Sequence, residues 1–475
     1  MRKLKIGLVC LRADNFDGGL TINFEASINK LKEYANTLEF DFFYYPELVL
    51  NPDDASAACG MIKTQEPDFL MIQLTAFPSG EALIRLAKSC KRIGIWGIPE
   101  SSYEGSNFVN SNNSFCGMNM ACSIAGSYLK GLSIDYKWFF GYADDERFLK
   151  RFSLTARALG AIKKMASSRV AHIGGIAPGF NDLYSDERLC MTRLNTEIQR
   201  GHEFSEIYDR AHSYSDRDIE EYSDGYACTK CSPDVKKEEL VMAARYYKAL
   251  KEFAAEHKYD ALAVSCWPQI KPDTLACSIF GKLNQDCIPV SCEGDLPGVI
   301  SMLMLHYITK NPATIMDMCG IDEQDETVLM WHCGPSPEFY ADANGAATTC
   351  SYQLNLAGET IRYPLIHDLI LKPGPVTFMR ITGEWDKMFL LSGNAIDYPK
   401  QSPDGSRGWI GGLKLNGKPV GTLDLANTIM THGFQHHYPM MAGDIANVCM
   451  EIASWLNLET MDTVYYEDYR QVRKY

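Results

Sequence analysis

The chain has 475 residues, 46% apolar and 22% charged, with a net charge of −14. That length is too great for one core and suggests about three domains. The acidic balance would repel phosphate backbones and no Lys/Arg cluster is interleaved with aromatics, which argues against a nucleic-acid partner. No apolar run approaches the roughly 18 residues that cross a bilayer, so no membrane partner is expected.

The opening MRKLKIGLVCLRAD has a basic start, but its apolar stretch is short and runs into Arg12 and Asp14, which reads as a first β-strand and not as a signal peptide. The sixteen cysteines are scattered through apolar segments such as LVCL, VSCW, VSCE and WHCG. They read as buried, reduced thiols and point to the cytoplasm. The single CxxC, Cys228 to Cys231, lies in the polar stretch DGYACTKCSPD without the second pair that a structural zinc needs, and reads as a plain loop.

Strand candidates then follow at Lys5–Leu11, Asp41–Tyr45, Phe69–Thr75 and Arg92–Ile98, with helical periods such as INFEASINKLKEYANTL and GEALIRLAKSC between them. This βαβ rhythm implies a parallel sheet covered on both faces. A polar stretch, SSYEGSNFVNSNNSFCGMN, precedes a helical segment, and a helix from Asp145 to about Ser168 closes a first α/β domain, 1–167. The rhythm restarts with strands at Val170–Gly174, Glu203–Tyr208, Ala261–Trp267 and Ile288–Glu293 and with the helix KKEELVMAARYYKALKEFAAEH, giving a second α/β domain over 168–322. The glycine-rich GGIAPGF matches no phosphate-binding loop and reads as a tight strand-to-helix turn. Short strands dominate from about Glu326: Val328–His332, Pro375–Thr382, Met388–Gly393 and Trp409–Leu415, with PDGSRG and NG as turns. A mostly β domain, 323–475, therefore ends the chain, with an amphipathic helix at Asp444–Leu456 and the imidazole cluster His432, His436, His437.

Glu293, Asp317 and His332 fall at the ends of apolar elements, where an isolated charge is costly unless a cation sits among them. Carboxylates with one or two imidazoles form a fairly hard donor set suited to Mn²⁺ or Mg²⁺, and three or four protein ligands leave positions open for substrate oxygens. Taken singly, each residue has a plainer role: Glu293 as a turn cap, Asp317 as a helix-end carboxylate, His332 as a core histidine and the HHY stretch as a surface loop.

Their joint order resembles the L-fucose isomerase and L-arabinose isomerase family. The motifs that carry the likeness are CEGD at Cys292–Asp295, Asp317 after the Pro-Ala pair, His332 followed by Cys-Gly-Pro-Ser, the late His436-His437 pair, and NSFCGxN at Asn113–Asn119. The resemblance spans essentially the whole chain and implies two Rossmann-like α/β domains followed by a mostly β C-terminal domain. It implies an aldose–ketose isomerase of a hexose, pentose or modified sugar, working through a cis-enediolate with a divalent metal, usually Mn²⁺, with Mg²⁺ or Co²⁺ as alternatives. Glu293 and Asp317 would be both metal ligands and the proton-transferring pair. The ligand histidine would come from His436 and His437, with His437 preferred; His332 matches a metal ligand of the arabinose branch. The family's oligomers, commonly homohexamers, would bring Arg12, Asn113 and Asn119 to the sugar from a neighbouring subunit, and Trp267 would wall its pocket. The chain is shorter than typical fucose isomerases, and sulfoquinovose is a further substrate candidate; its sulfonate would need a cationic pocket, for which Arg12, Arg407 and Lys414 are available. The competing reading is a non-catalytic, two-lobed sugar-binding or regulatory protein.

Overall fold

The computed structural model describes residues 3–13, 23–99, 118–223, 230–267, 269–270, 276–354, 358–397 and 400–467. Two compact units divide the chain, Met1–Lys164 and Met165–Tyr475. In the first, β1 (Leu4–Leu11), β2 (Phe40–Val49), β3 (Phe69–Leu74), β4 (Arg92–Gly97) and β5 (Asp135–Phe140) alternate with α1 (Asn23–Thr37), α2 (Pro52–Gln65), α3 (Gly80–Ala87), α4 (Met118–Gly131) and α5 (Glu146–Met165). All strand pairs are parallel, in the order β2-β1-β3-β4-β5. Strand β3 is buried throughout and β1 almost so, which is why both read as near-continuous apolar runs. Helix α2 escapes periodicity because it buries only Ala55, Ala58 and Ile62; its start is set by Asn51, whose side chain accepts from the Asp53 and Asp54 N–H groups, and by Pro52 in the first turn.

The second unit opens with a four-stranded parallel sheet in the order β10-β9-β6-β7. Its strands are β6 (Arg169–Ile173), β7 (Glu197–His202), β9 (Ala261–Val264) and β10 (Val290–Ser291); a short β8 (Lys230–Cys231) pairs elsewhere. Between and after them run α6 (Glu187–Leu194), α7 (Phe204–Ser213), α8 (Glu220–Ser223), α9 (Lys237–His257), α10 (Ala276–Gln285) and α11 (Leu296–Thr309). Tyr246, Leu250 and Phe253 of α9 pack with Leu262, Val264 and Phe280 in one core. The segment Glu203–Tyr208, read above as a strand, is instead the start of α7, capped reciprocally by Glu203 and Glu206. The strand is the preceding β7, an edge strand with no buried face and so with no alternation to betray it.

From Thr314, earlier than the texture of the sequence suggests, strands take over: β11 (Thr314–Asp322), β12 (Thr327–His332), β13 (Ala347–Leu354), β14 (Thr360–Ile370), β15 (Gly374–Ile381), β16 (Lys387–Ala395) and β17 (Ser406–Leu415). They are followed by β18 (Lys418–Pro419), α12 (Thr422–His432), β19 (His437–Ala442), α13 (Ala446–Leu456) and β20 (Glu459–Thr460). The pairings β16-β15-β19-β11-β12-β17 are antiparallel, and a further β16–β17 pairing closes them into a barrel-like ring. Met316, Phe378, Phe389, Ile410 and Met440 are among its core residues. Helix α11, buried along nearly its whole length, packs on β9 and β10 on one side and on β15 and β19 on the other. Among the described residues, no helix is long and apolar enough to cross a membrane.

Candidate metal and active site

The site is built where β10 turns into α11. Glu293 and Gly294 both take left-handed backbone, with φ of 62° and 71°. At Gly294 a side chain is excluded as well, because a Cβ there would overlap the carbonyl oxygen of Gly175. The glycine-rich GGIAPGF stretch is thus a packing partner of the Glu293 turn: the Ala177 N–H donates to the Glu293 carbonyl at 2.9 Å. Asp295 then caps α11, accepting from the Gly298 N–H at 2.9 Å, and Pro297 occupies the first turn.

The β ring brings the other donors to this turn. Asp317 on β11 stands opposite His437 on β19 and opposite Trp331 on β12, the neighbour of His332. Two overlapping groups result, Glu293–His436–His437 and Asp317–His332–His437, each with its donor atoms within 4.8 Å of one another. His437 belongs to both. Its Nε2 lies 3.6 Å from a Glu293 oxygen and 3.7 Å from an Asp317 oxygen. The His437 Nε2, the Asp317 Oδ1 and the His332 Nε2 are all buried without a hydrogen-bond partner. Each such atom costs about 1–3 kcal/mol, and the orphaned His437 Nε2 and Asp317 Oδ1, 3.7 Å apart, fit a cation-binding centre better than a finished polar network.

The three histidines are held differently. His437 Nδ1 lies 2.9 Å from the Asp295 carboxylate, which can only accept, so Nδ1 carries the proton and Nε2 presents a lone pair. His436 faces Asp182 at 2.8 Å through Nδ1 and Glu293 at 3.2 Å through Nε2, so both nitrogens donate to carboxylates. Burial works against its charge, but these two partners push its pKa up to about 9. His332 Nδ1 accepts the Cys333 N–H at 2.8 Å, which leaves the proton on Nε2. Asp317 itself is raised by burial, only partly offset by the histidines. Asp295 is also opposed by burial, yet the charge of Arg380 and the bonds from His437 and Arg380 hold it well below the usual carboxylate range.

Beside Glu293 a cavity of about 440 Å³ opens, lined by Phe180, Trp267, Tyr363 and four free thiols. Those thiols lie in two close pairs, Cys266–Cys292 and Cys277–Cys333, each with sulfurs 2.7 Å apart. Trp267 is among the residues lining this cavity. A larger depression of about 890 Å³ in the first unit holds none of the candidate residues.

Of the other expected residues, Arg12 follows β1 half-buried, its N–H bound to the Val49 carbonyl, and Asn119 is exposed on α4. Both belong to the first unit, and Asn113 and Cys228 lie outside the described residues. Of the cations available for a sulfonate besides Arg12, Arg407 is tied to Asp368 and the Gly405 carbonyl, and Lys414 is exposed on β17 opposite Ser392. Sequence reasoning missed Asp182, Arg380 and the capping acid Asp295. Arg380 left one trace, a lone charge inside the apolar run PVTFMRIT.

No protein-family model matches the chain. It is 25% identical over 429 residues to a sulfoquinovose isomerase of Alkalicoccus urumqiensis, covering 88% of this chain and 90% of that protein. A sulfoquinovose isomerase of Priestia megaterium is 23% identical over 420 residues (87% and 90%), and one of Clostridium sp. is 24% identical over 412 residues (83% and 86%). Among solved structures, an ABC-transporter solute-binding protein from Burkholderia multivorans covers 66% of this chain and 95% of its own at 11% identity, with a TM-score of 0.17, too low to carry an argument. Over more than four-fifths of its length, therefore, the chain is similar to sulfoquinovose isomerases, and it is an aldose–ketose isomerase, as its resemblance to the fucose and arabinose isomerases implies.

Proposed function

We propose that this chain is a divalent-metal-dependent isomerase that converts sulfoquinovose to its ketose, with Glu293, Asp317 and His437 as the protein ligands. As an aldose–ketose isomerase it is an intramolecular oxidoreductase: C1 is reduced and C2 oxidised within one sugar. The observation that carries the metal reading is the convergence of orphaned buried atoms on His437 Nε2. A bound Mn²⁺, Mg²⁺ or Co²⁺ would supply Lewis-acid stabilisation of the negative charge that develops on the sugar oxygens.

The protein's own groups do the rest. Moving the carbonyl from C1 to C2 through a cis-enediolate takes a proton from C2 and returns one to C1, while the O2 hydroxyl gives up a proton and O1 gains one; Glu293 and Asp317 are the pair that handles the carbon-bound protons, one as base and one as conjugate acid. His332, with its proton on Nε2 beside Asp317, is placed to donate to a sugar oxygen and is not a ligand in this tautomer. His436 holds Glu293 from the side facing Asp182. Phe180 and Trp267 offer apolar faces to sugar C–H surfaces and limit water at the reacting carbons. Arg12, Asn113 and Asn119 are the candidates to complete the substrate contacts from a neighbouring subunit of a homo-oligomer, and Arg12 is the cation for the sulfonate.

The test is a panel of aldoses, including sulfoquinovose, fucose and arabinose, offered to metal-stripped protein before and after adding Mn²⁺, with ketose formation followed by NMR in deuterated water. Metal-dependent ketose from sulfoquinovose, with deuterium at the exchanged carbon, is expected. Tight sugar binding without metal and without turnover of any sugar would instead establish the binding-protein reading.

A further inference from the structure

The groups that hold His437 are themselves sealed in the core. Asp295, Arg380 and His437 are each 0% exposed. Arg380 on β15 grips Asp295 with two bonds, Nη1 to Oδ2 at 2.7 Å and Nη2 to Oδ1 at 2.9 Å. The same guanidinium donates to the backbone carbonyl of His437 at 3.1 Å and to the side-chain oxygen of Gln435 at 3.2 Å. With the Gly298 N–H on Oδ1 and His437 Nδ1 on Oδ2, the Asp295 carboxylate accepts four hydrogen bonds. We infer that Asp295 and Arg380 form a positioning pair that locks His437 in its Nδ1–H tautomer and thereby sets the affinity of the site for a divalent cation; this rests on the metal reading above.

The geometry supports each part of that role. A carboxylate with its acceptor positions filled has no lone pair left for an ion, so Asp295 is excluded as a fourth ligand although it lies two residues from Glu293. Because Arg380 binds both the carbonyl of His437 and the carboxylate under its ring, backbone and imidazole are fixed together. The lone pair of Nε2 then points between Glu293 and Asp317 without any reorganisation on binding. Without Arg380 the buried carboxylate would be an unbalanced charge, and without Asp295 the ring could adopt the other tautomer, which has no lone pair at Nε2.

The experiment uses the full chain, stripped of metal, in three forms: wild type, Asp295→Asn, and the double variant Asp295→Asn with Arg380→Met, which leaves no unpaired buried cation. Mn²⁺ binding is titrated by calorimetry, and the tautomer of His437 is read from ¹⁵N-histidine NMR of the metal-free protein, assigned with a His437→Gln sample. The expected result is an Nδ1–H tautomer in the wild type, a mixed tautomer in the folded variants, and a 10–100-fold rise in the Mn²⁺ Kd. A rise of less than about tenfold with the tautomer unchanged overturns the inference while leaving the metal reading intact. An Nε2–H tautomer in the wild type overturns it even if both variants fail to fold. Failure of the wild type to bind Mn²⁺ counts against the metal reading instead, and the tautomer measurement still judges the positioning claim.

Discussion

Replacing His437 by glutamine is expected to destroy divalent-cation binding, while the same change at His436 weakens it only mildly, although the two rings are adjacent and their centroids lie 4.2 Å apart. Neighbouring donors around an ion at about 2.1 Å are about 3 Å apart, so the 3.6 and 3.7 Å between His437 Nε2 and the two carboxylates close on an ion with shifts of well under about 1 Å. Losing a direct ligand should exceed the 10–100-fold typical of an outer partner, that is, more than about 2.7 kcal/mol. His436 is about one-third exposed and engaged at both nitrogens by carboxylates. Its loss removes an ion pair worth at most about 1 kcal/mol at such a site, a change of about fivefold or less. Calorimetric titration of metal-stripped variants with Mn²⁺ separates the two, with circular dichroism and gel filtration verifying the fold. If His436→Gln loses as much affinity as His437→Gln, or if His437→Gln retains binding within tenfold of wild type, the tautomer argument fails and the ion belongs on the Glu293–His436 side.

Three further outcomes are expected. Mn²⁺ at 100 times its Kd should raise the unfolding free energy of the stripped protein by about 2.7 kcal/mol, seen as a higher melting temperature that EDTA reverses; an unchanged melting temperature would contradict specific binding to the native state. Gly294→Ala should destabilise by about 2 kcal/mol or more, because φ of 71° strains any side chain and the new Cβ meets the Gly175 carbonyl; a urea midpoint within error of wild type would refute the close approach. His367 is 0% exposed, and burial, with the nearby charge of Lys282, pushes its pKa down to about 4. A depressed histidine takes up a proton in the unfolded chain near pH 6.5 but in the native one only near 4, so its contribution is complete above about pH 6.5 and is lost as pH falls through that window, by roughly 3 kcal/mol in all. His367→Asn should flatten the stability profile between pH 6.5 and 4, and a profile parallel to wild type would show that another group controls it.

How much of this was legible beforehand depended on the range of the forces involved. Strands β1, β3, β4 and β12 and helices α1, α3, α9 and α13 announce themselves by local periodicity, and Glu293, Asp317 and His332 stand out as charges that apolar neighbours leave unexplained. Where burial gives no pattern, reading failed: β7 is a polar edge strand, and α2 buries only three small or medium side chains. The sequence by itself therefore determined most of the alternation of elements, because that is written in residues a few positions apart, and it named Glu293, Asp317 and the His436-His437 pair as candidates through the order of their motifs. Only the tertiary structure decided which histidine offers a lone pair, because that choice depends on Asp295, 142 positions before His437, and on Arg380, 57 before it, brought under one ring by helix α11 and strands β15 and β19. A hydrogen-bond acceptor selects a tautomer at about 3 Å whatever the chain separation, and no local pattern records which acceptor folding will deliver.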